Sequence, residues 1–177
     1  IHLHHRCWAT VSRHRYFNAG TQQKKSGYLV DFHDDIDYVI RNMPADWEYM
    51  PLMHVEKGDM YFWVKRYVEA ITEANKALAQ NPAFVRAYSL LIDTHHAMGQ
   101  KAKALATATE GLKHNPNSRT LKRAYDEAGG KPPYPEPYAQ PPEPEPVAPT
   151  IETKSPDGAP PVAEQSKQSE TTTAPPS

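Results

Sequence analysis

The sequence predicts an all-α fold: a short solenoid of helix–turn–helix units, closed by a C-terminal capping helix and followed by a disordered Pro-rich tail. Three observations predict it. Pro82 and Pro116 stand 34 residues apart, each in an Asn-Pro pair that ends a run of helical periodicity. Small residues recur on one helical stripe, Ala70, Ala74 and Ala77 in the first copy and Ala104, Ala108 and Gly111 in the second, and such a stripe lets two helices approach closely. From Lys131 onward the composition changes, with 14 of the 18 prolines in residues 132–177.

Taken in order, residues 1–50 read as a divergent first helical repeat. The stretch "LHHRCWATVSRHRYF" places Leu3, Cys7, Trp8 and Val11 on one face, the side expected to pack. In "YLVDFHDDIDYVIRNMP" apolar residues at 29, 32, 36, 39 and 40 form a second helix ending before Pro44. Its acids Asp34 and Asp37 read as the solvated face opposite Phe32, Ile36 and Val39. The intervening "NAGTQQKKSG" reads as an insertion, too long for a repeat turn. Residues 51–84 and 85–118 form the two regular repeats, with helices expected over 51–64, 67–80, 84–97 and 101–114 and Gly99 opening a turn. Ser118 caps a last helix over 119–128, within a capping unit 119–130 that Gly129 and Gly130 stop. Its apolar residues, Leu121, Ala124, Tyr125 and Ala128, lie on one face, as a solenoid end requires. Residues 131–177 read as a disordered Pro/Glu-rich tail, because proline removes backbone donors and little apolar surface remains to bury.

The 34-residue period, with Gly58, Tyr61, Tyr67, Ala70, Ala77 and Pro82 in one unit and Tyr88, Gly99, Ala104 and Pro116 in the next, resembles the tetratricopeptide-repeat (TPR) family. Gly111 stands where that family usually has alanine, and His95 and Lys101 depart from its pattern. The resemblance implies a protein or peptide partner held on a concave surface lined by the first helix of each unit. The positions it implies are Leu52, Val55, Asp59, Phe62 and Trp63, then Arg86, Ser89, Asp93, His96 and Ala97. Asp59 and Asp93 would place two carboxylates along the groove beside two aromatics. That set differs from the Lys/Asn/Lys/Arg clamp by which some members hold a C-terminal carboxylate, and suits an apolar peptide or helix with a basic residue. "LHHRCW", "DIDYVIRNMPADWEYMPLMHVEKGD" and "AYDEAGGKP" are also similar to uncharacterised exported bacterial TPR proteins. That narrower similarity implies an exported, periplasmic setting and an upstream cysteine partner for Cys7.

Other classes of function find little support. Residues 1–131 carry 18 basic and 14 acidic side chains, a net +4, while residues 132–177 carry two lysines and seven acids, a net −5. The basic excess is scattered, which argues against nucleic acid as a partner. The longest apolar runs are far too short for a membrane span. Nine histidines invite a metal hypothesis, but His95 and His96 point about 100° apart on one helix and the remainder read as surface or packing residues. Cys7 is the sole cysteine and reads as a small buried hydrophobe on the Leu3–Val11 stripe. No phosphate loop, GxSxG, HExxH or CxxC motif occurs, so neither an enzyme nor a cofactor is expected. A structural role, with repeats stacking edge to edge as a homo-oligomer tethered by the tail, is the alternative to groove binding.

Overall fold

The computed structural model describes residues 3–139, and the part of the expected tail beyond 139 lies outside them. Seven helices follow one another among these residues: α1 (Leu3–Asn18), α2 (Gln22–Asn42), α3 (Met50–Trp63), α4 (Tyr67–Gln80), α5 (Val85–Ala97), α6 (Lys101–His114) and α7 (Arg119–Glu127). No strand occurs among the described residues. None of these helices is long and apolar enough to cross a membrane.

Consecutive helices pack as antiparallel pairs, α1 on α2, α3 on α4 and α5 on α6. The first helices of the pairs then line up: α3 touches α5, and α5 touches α7, whereas α4 makes no comparable contact with α2 or α6. Helices closer together on one side than on the other curve the stack, so the α1–α3–α5–α7 side is the concave one.

The alanine stripes lie where the packing needs them. Ala70, Ala74, Ala77, Ala104 and Ala108 are all fully buried. Gly58 makes the closest approach: a methyl there would stand 2.7 Å from Leu90 Cδ2 and 3.3 Å from the Ala70 carbonyl oxygen. Gly111 is similarly tight against Tyr88 and Leu121. The core divides into three consecutive clusters, the first around Phe32, Ile36, Val39, Met53 and Met60. The second surrounds Val55, Ala74 and Leu91, and the third Tyr88, Ile92, Leu112 and Leu121.

The two repeat turns are built alike. Arg66 N–H donates to the Tyr61 carbonyl at 2.8 Å, and Gln100 N–H to the His95 carbonyl at 2.8 Å, which is the helix-ending geometry that needs a left-handed residue between. Gly99 fills that position with φ +72°, but its counterpart 34 residues earlier is Lys65, at φ +62°. A side chain there costs about 1–2 kcal/mol. Lys65→Gly is therefore expected to raise stability by about 1 kcal/mol, read as a higher midpoint in urea unfolding; a lower midpoint would contradict the turn assignment.

Three expectations are corrected. The supposed insertion is helix: Thr21 caps α2 by accepting from Lys24 N–H at 3.3 Å, and the residues after it continue directly into the helix. The stripe of α1 faces the other way, with Leu3, Cys7, Trp8 and Val11 exposed and Ala9 and Ser12 buried against α2. Cys7 is therefore not a core residue. Finally, residues 131–139 are not all free of the repeats. Tyr138 O–H donates to Glu110 at 2.6 Å, its backbone N–H donates to the Lys113 carbonyl at 3.0 Å, and Tyr134 packs edge-on to Tyr125. A chain ending at 139 is expected to be more stable by about 1–2 kcal/mol than one ending at 130; equal denaturation midpoints would show that this strap contributes nothing.

Candidate functional site

The concave face is assembled from one side of each of α1, α3, α5 and α7. Helical spacing puts Leu52, Glu56, Asp59 and Trp63 on one side of α3, and Arg86, Asp93 and Ala97 on one side of α5. Charge crosses the face between helices. Arg6 Nη2 of α1 donates to Glu56 Oε1 at 2.8 Å, and Arg86 Nη2 of α5 donates to Asp59 Oδ2 at 2.9 Å. Glu56 is buried, so that contact anchors α1 to α3.

The two aspartates expected to act together are therefore unlike. Burial pushes the Asp59 carboxyl up, and its Arg86 partner and the charge of Arg13 on α1 pull it back. Asp59 is a neutralised bridge between helices. Asp93 lies two turns along α5 from Arg86 and makes no hydrogen bond or ion pair among the described residues. Burial raises its carboxyl as well, opposed by the charges of His96 and Arg123 and reinforced by Glu127. It is an exposed acceptor whose lone pairs are free.

The apolar residues also divide. Val55 is fully buried in the second core cluster, so the position assigned to it on the surface is wrong. It lies on the side of α3 that turns toward α4 and α5. Leu52 and Phe62 are half-buried against the first and second clusters. Trp63 is 60% exposed, its ring edge-on to Phe17 at 5.6 Å and to Phe62 at 5.7 Å. Ser89 spends its hydroxyl on the Val85 carbonyl at 3.3 Å, while His96 is half-buried and Ala97 exposed. Sequence reasoning missed Phe17, Arg13 and Arg123. The 34-residue register does not reach α1, because α2 is 21 residues long where α4 and α6 each have 14.

The acidic run of α2 is divided as well. Asp34 is exposed, but Asp35 contacts His5 Nδ1 at 2.6 Å and Asp37 accepts from Lys57 at 2.6 Å. Asp37 thus belongs to a partly buried ionic cluster between α2, α3 and α4, not to a solvated face. In the same cluster Glu73 contacts His54 Nδ1 at 2.7 Å and accepts from Lys76 at 2.8 Å. His33 stacks on Tyr61 at 4.5 Å with both ring nitrogens buried and unpaired; burial lowers its pKa, and so does Lys57. Among the described residues no three His, Cys, Asp or Glu side chains converge as metal ligands would.

Comparison with known proteins agrees with the repeat reading. Residues 64–128 match the family model described as "Tetratricopeptide repeat". A thermophilic TPR protein of Thermus thermophilus is similar in structure, with a TM-score of 0.58 and 22% identity over 68% of this chain. The chain spans 61% of that protein's length. The first TPR of Spaghetti (RPAP3), solved bound to an HSP90 peptide, gives a TM-score of 0.48 at 19% identity, covering 68% of this chain and 92% of that one. The TPR2B domain of yeast Sti1, solved as a pHsp70 complex, gives 0.47 at 23% identity, covering 69% and 96%. No curated protein sequence matches. The match to the tetratricopeptide-repeat family over residues 64–128 falls where the 34-residue period, the buried alanine stripes and the paired helices occur, and the fold of the described residues is that of a tetratricopeptide-repeat solenoid.

Proposed function

We propose that the protein is a non-enzymatic interaction module that holds a peptide or helix of a partner protein on its concave face. The observation that carries this reading is the coexistence on that face of an unpaired carboxylate, Asp93, and an exposed aromatic, Trp63. Asp59 and Arg86 fix the local register of α3 and α5. From that level Trp63 lies one turn along α3 and Asp93 two turns along α5, about 6 and 10 Å respectively. A ligand with a basic and an apolar residue that reaches both groups must cross the spacing between α3 and α5, about 8–10 Å, as well as the offset of about 4 Å along their axes. The basic residue supplies the donor that Asp93 lacks, and the apolar residue covers the Trp63 ring. Leu52 and Phe62 support the floor, and Arg86, Ser89 and His96 lie along the same path. Neither a cofactor nor a nucleic acid is needed for this chemistry.

The test is recovery of a partner from extract by the wild-type chain and by Asp93→Lys and Trp63→Ala variants. Either substitution is expected to weaken capture at least about tenfold, because a charge pair and an aromatic anchor are each worth roughly 1.5 kcal/mol or more when buried in an interface. Asp93→Asn should be weakened less than Asp93→Lys, since the amide still accepts a hydrogen bond. A partner retained equally by all these variants would remove the concave face from consideration.

A further inference from the structure

A hollow of about 300 Å³ opens at one end of the concave face, where α1 stops, α2 begins and α3 stops. Tyr16, Leu29 and Trp63 give it apolar walls, and Gln22, Ser26 and Lys65 supply its polar groups. Lys65 is the only residue other than glycine with a positive φ among the described residues, at +62°. The equivalent turn of the next repeat uses Gly99, which adopts that conformation without steric cost. The chain therefore holds a lysine in strained backbone at a position where glycine serves the fold better. Strain of this kind, kept at the edge of a hollow, points to a side chain retained for what it contacts. Lys65 is exposed, and its ammonium has no hydrogen bond or ion pair among the described residues.

Charge around the hollow has one sign. No acid lines it. Of the acids nearest in the chain, Asp59 is bound to Arg86 and Glu69 to Arg66. Asp31 stands two residues beyond Leu29, on the far side of α2 from the row Gln22, Ser26 and Leu29. Lys25 adds a second cation, its ammonium 5.8 Å from the centre of the Tyr16 ring, and it too has no ion pair among the described residues. We propose that Lys65 is a specificity-determining residue of the concave face, taking the carboxylate of an acidic side chain in the bound peptide while the hollow receives the stem of that side chain beside Trp63. Gln22 and Ser26 supply neutral donors to the same carboxylate. This inference rests on the concave-face reading and adds a third group to the ligand. The basic residue lies at Asp93, the apolar one at Trp63 and the acidic one at Lys65, so the order of the three fixes the direction in which the peptide crosses from α5 toward α1.

The test uses the full chain and synthetic helical peptides, labelled and amidated at the C-terminus. Each carries a lysine, a leucine about two turns later and, about one turn beyond that, either glutamate or glutamine. Binding is read by fluorescence anisotropy. Wild type is expected to bind the Glu peptide about fivefold more tightly than the Gln peptide, with the preference declining as salt rises. Lys65→Gly should bind the two equally although its urea midpoint is higher than that of wild type, which excludes unfolding as the cause. Equal binding of the two peptides by wild type, binding of neither, or a preference that survives Lys65→Gly would overturn the assignment. So would a Gln peptide with a free C-terminal carboxylate that matches the Glu peptide, since the recognised group would then be a chain end. A chain dimer that Lys65→Gly dissociates would overturn it too, because the occupant would be a second copy. Glu-peptide binding that is untouched by both Trp63→Ala and Asp93→Lys would remove the concave-face reading and this inference with it. Binding lost in those two variants but indifferent to Lys65 would remove this inference alone.

Discussion

Replacing Glu73 with alanine is expected to lower stability by about 3–5 kcal/mol, the largest loss foreseen for a single side chain. Glu73 is buried on α4 and faces three cationic or hydrogen-bonding groups: His54 at 2.7 Å, Lys76 at 2.8 Å and Lys57 at 3.8 Å. Burial alone would push its carboxyl up. The hydrogen bonds from His54 and Lys76 and the charge of Lys57 outweigh that and hold it down at about 2, against an ordinary 4.5. Removing the carboxylate leaves buried His54 without its hydrogen-bond partner and leaves Lys57 with Asp37 as its remaining acidic partner in a poorly solvated pocket. The same shift fixes the pH dependence. A carboxyl with a lower pKa in the folded state binds fewer protons than in the unfolded chain, so its contribution is complete above about pH 5. It is lost as pH falls toward about 2, and amounts to about 3 kcal/mol. Urea unfolding of wild type and Glu73→Gln across that range checks it: the wild type should lose stability on acidification more steeply than the variant. Parallel curves would show that Glu73 is not held ionised by the cluster.

Ala70→Leu is expected to destabilise by about 1–3 kcal/mol through overpacking. Ala70 has no exposed surface, and its carbonyl is already within 3.3 Å of the space above Gly58. The added branches have nowhere to go without separating α3 from α4. Because α3 carries Asp59 and Trp63, that separation would also shift the concave face, so ligand capture should fall together with the melting temperature. An unchanged melting temperature would mean that α3 and α4 do not meet along the alanine stripe.

Residues 51–128 were legible because the repeat imposes two independent patterns at once. Small residues at Ala70, Ala74, Ala104 and Ala108 fix which sides of the helices meet, and Pro82, Gly99 and Pro116 fix where they end. The observed helices start and stop within a residue or so of those marks. The first pair was harder, since α2 is half as long again as its counterparts and shares no register with them. Its start depends on a Thr21 cap, a signal carried by one residue within a polar stretch. The exposed face of α1 had the periodicity of a core face, and periodicity alone does not say which apolar stripe finds a partner.

The concave face was legible as a set of positions and less so as chemistry. Position along the repeat placed Asp59 and Asp93 together, yet Asp59 is bound to Arg86 and Asp93 is not so paired, because the residue 34 positions after Arg86 is the uncharged Thr120. Val55 has the right spacing for the surface and the wrong rotation. Phe17 and Arg13 contribute from a helix outside the period.

The most direct measurement of the central claim is hydrogen–deuterium exchange of the chain with and without its captured partner, resolved to peptides from each helix. Binding on the concave face predicts added protection in α3 around 56–63 and in α5 around 86–96, with α4 and α6 unchanged. Protection confined to α4 and α6, or to α1 alone, would contradict it.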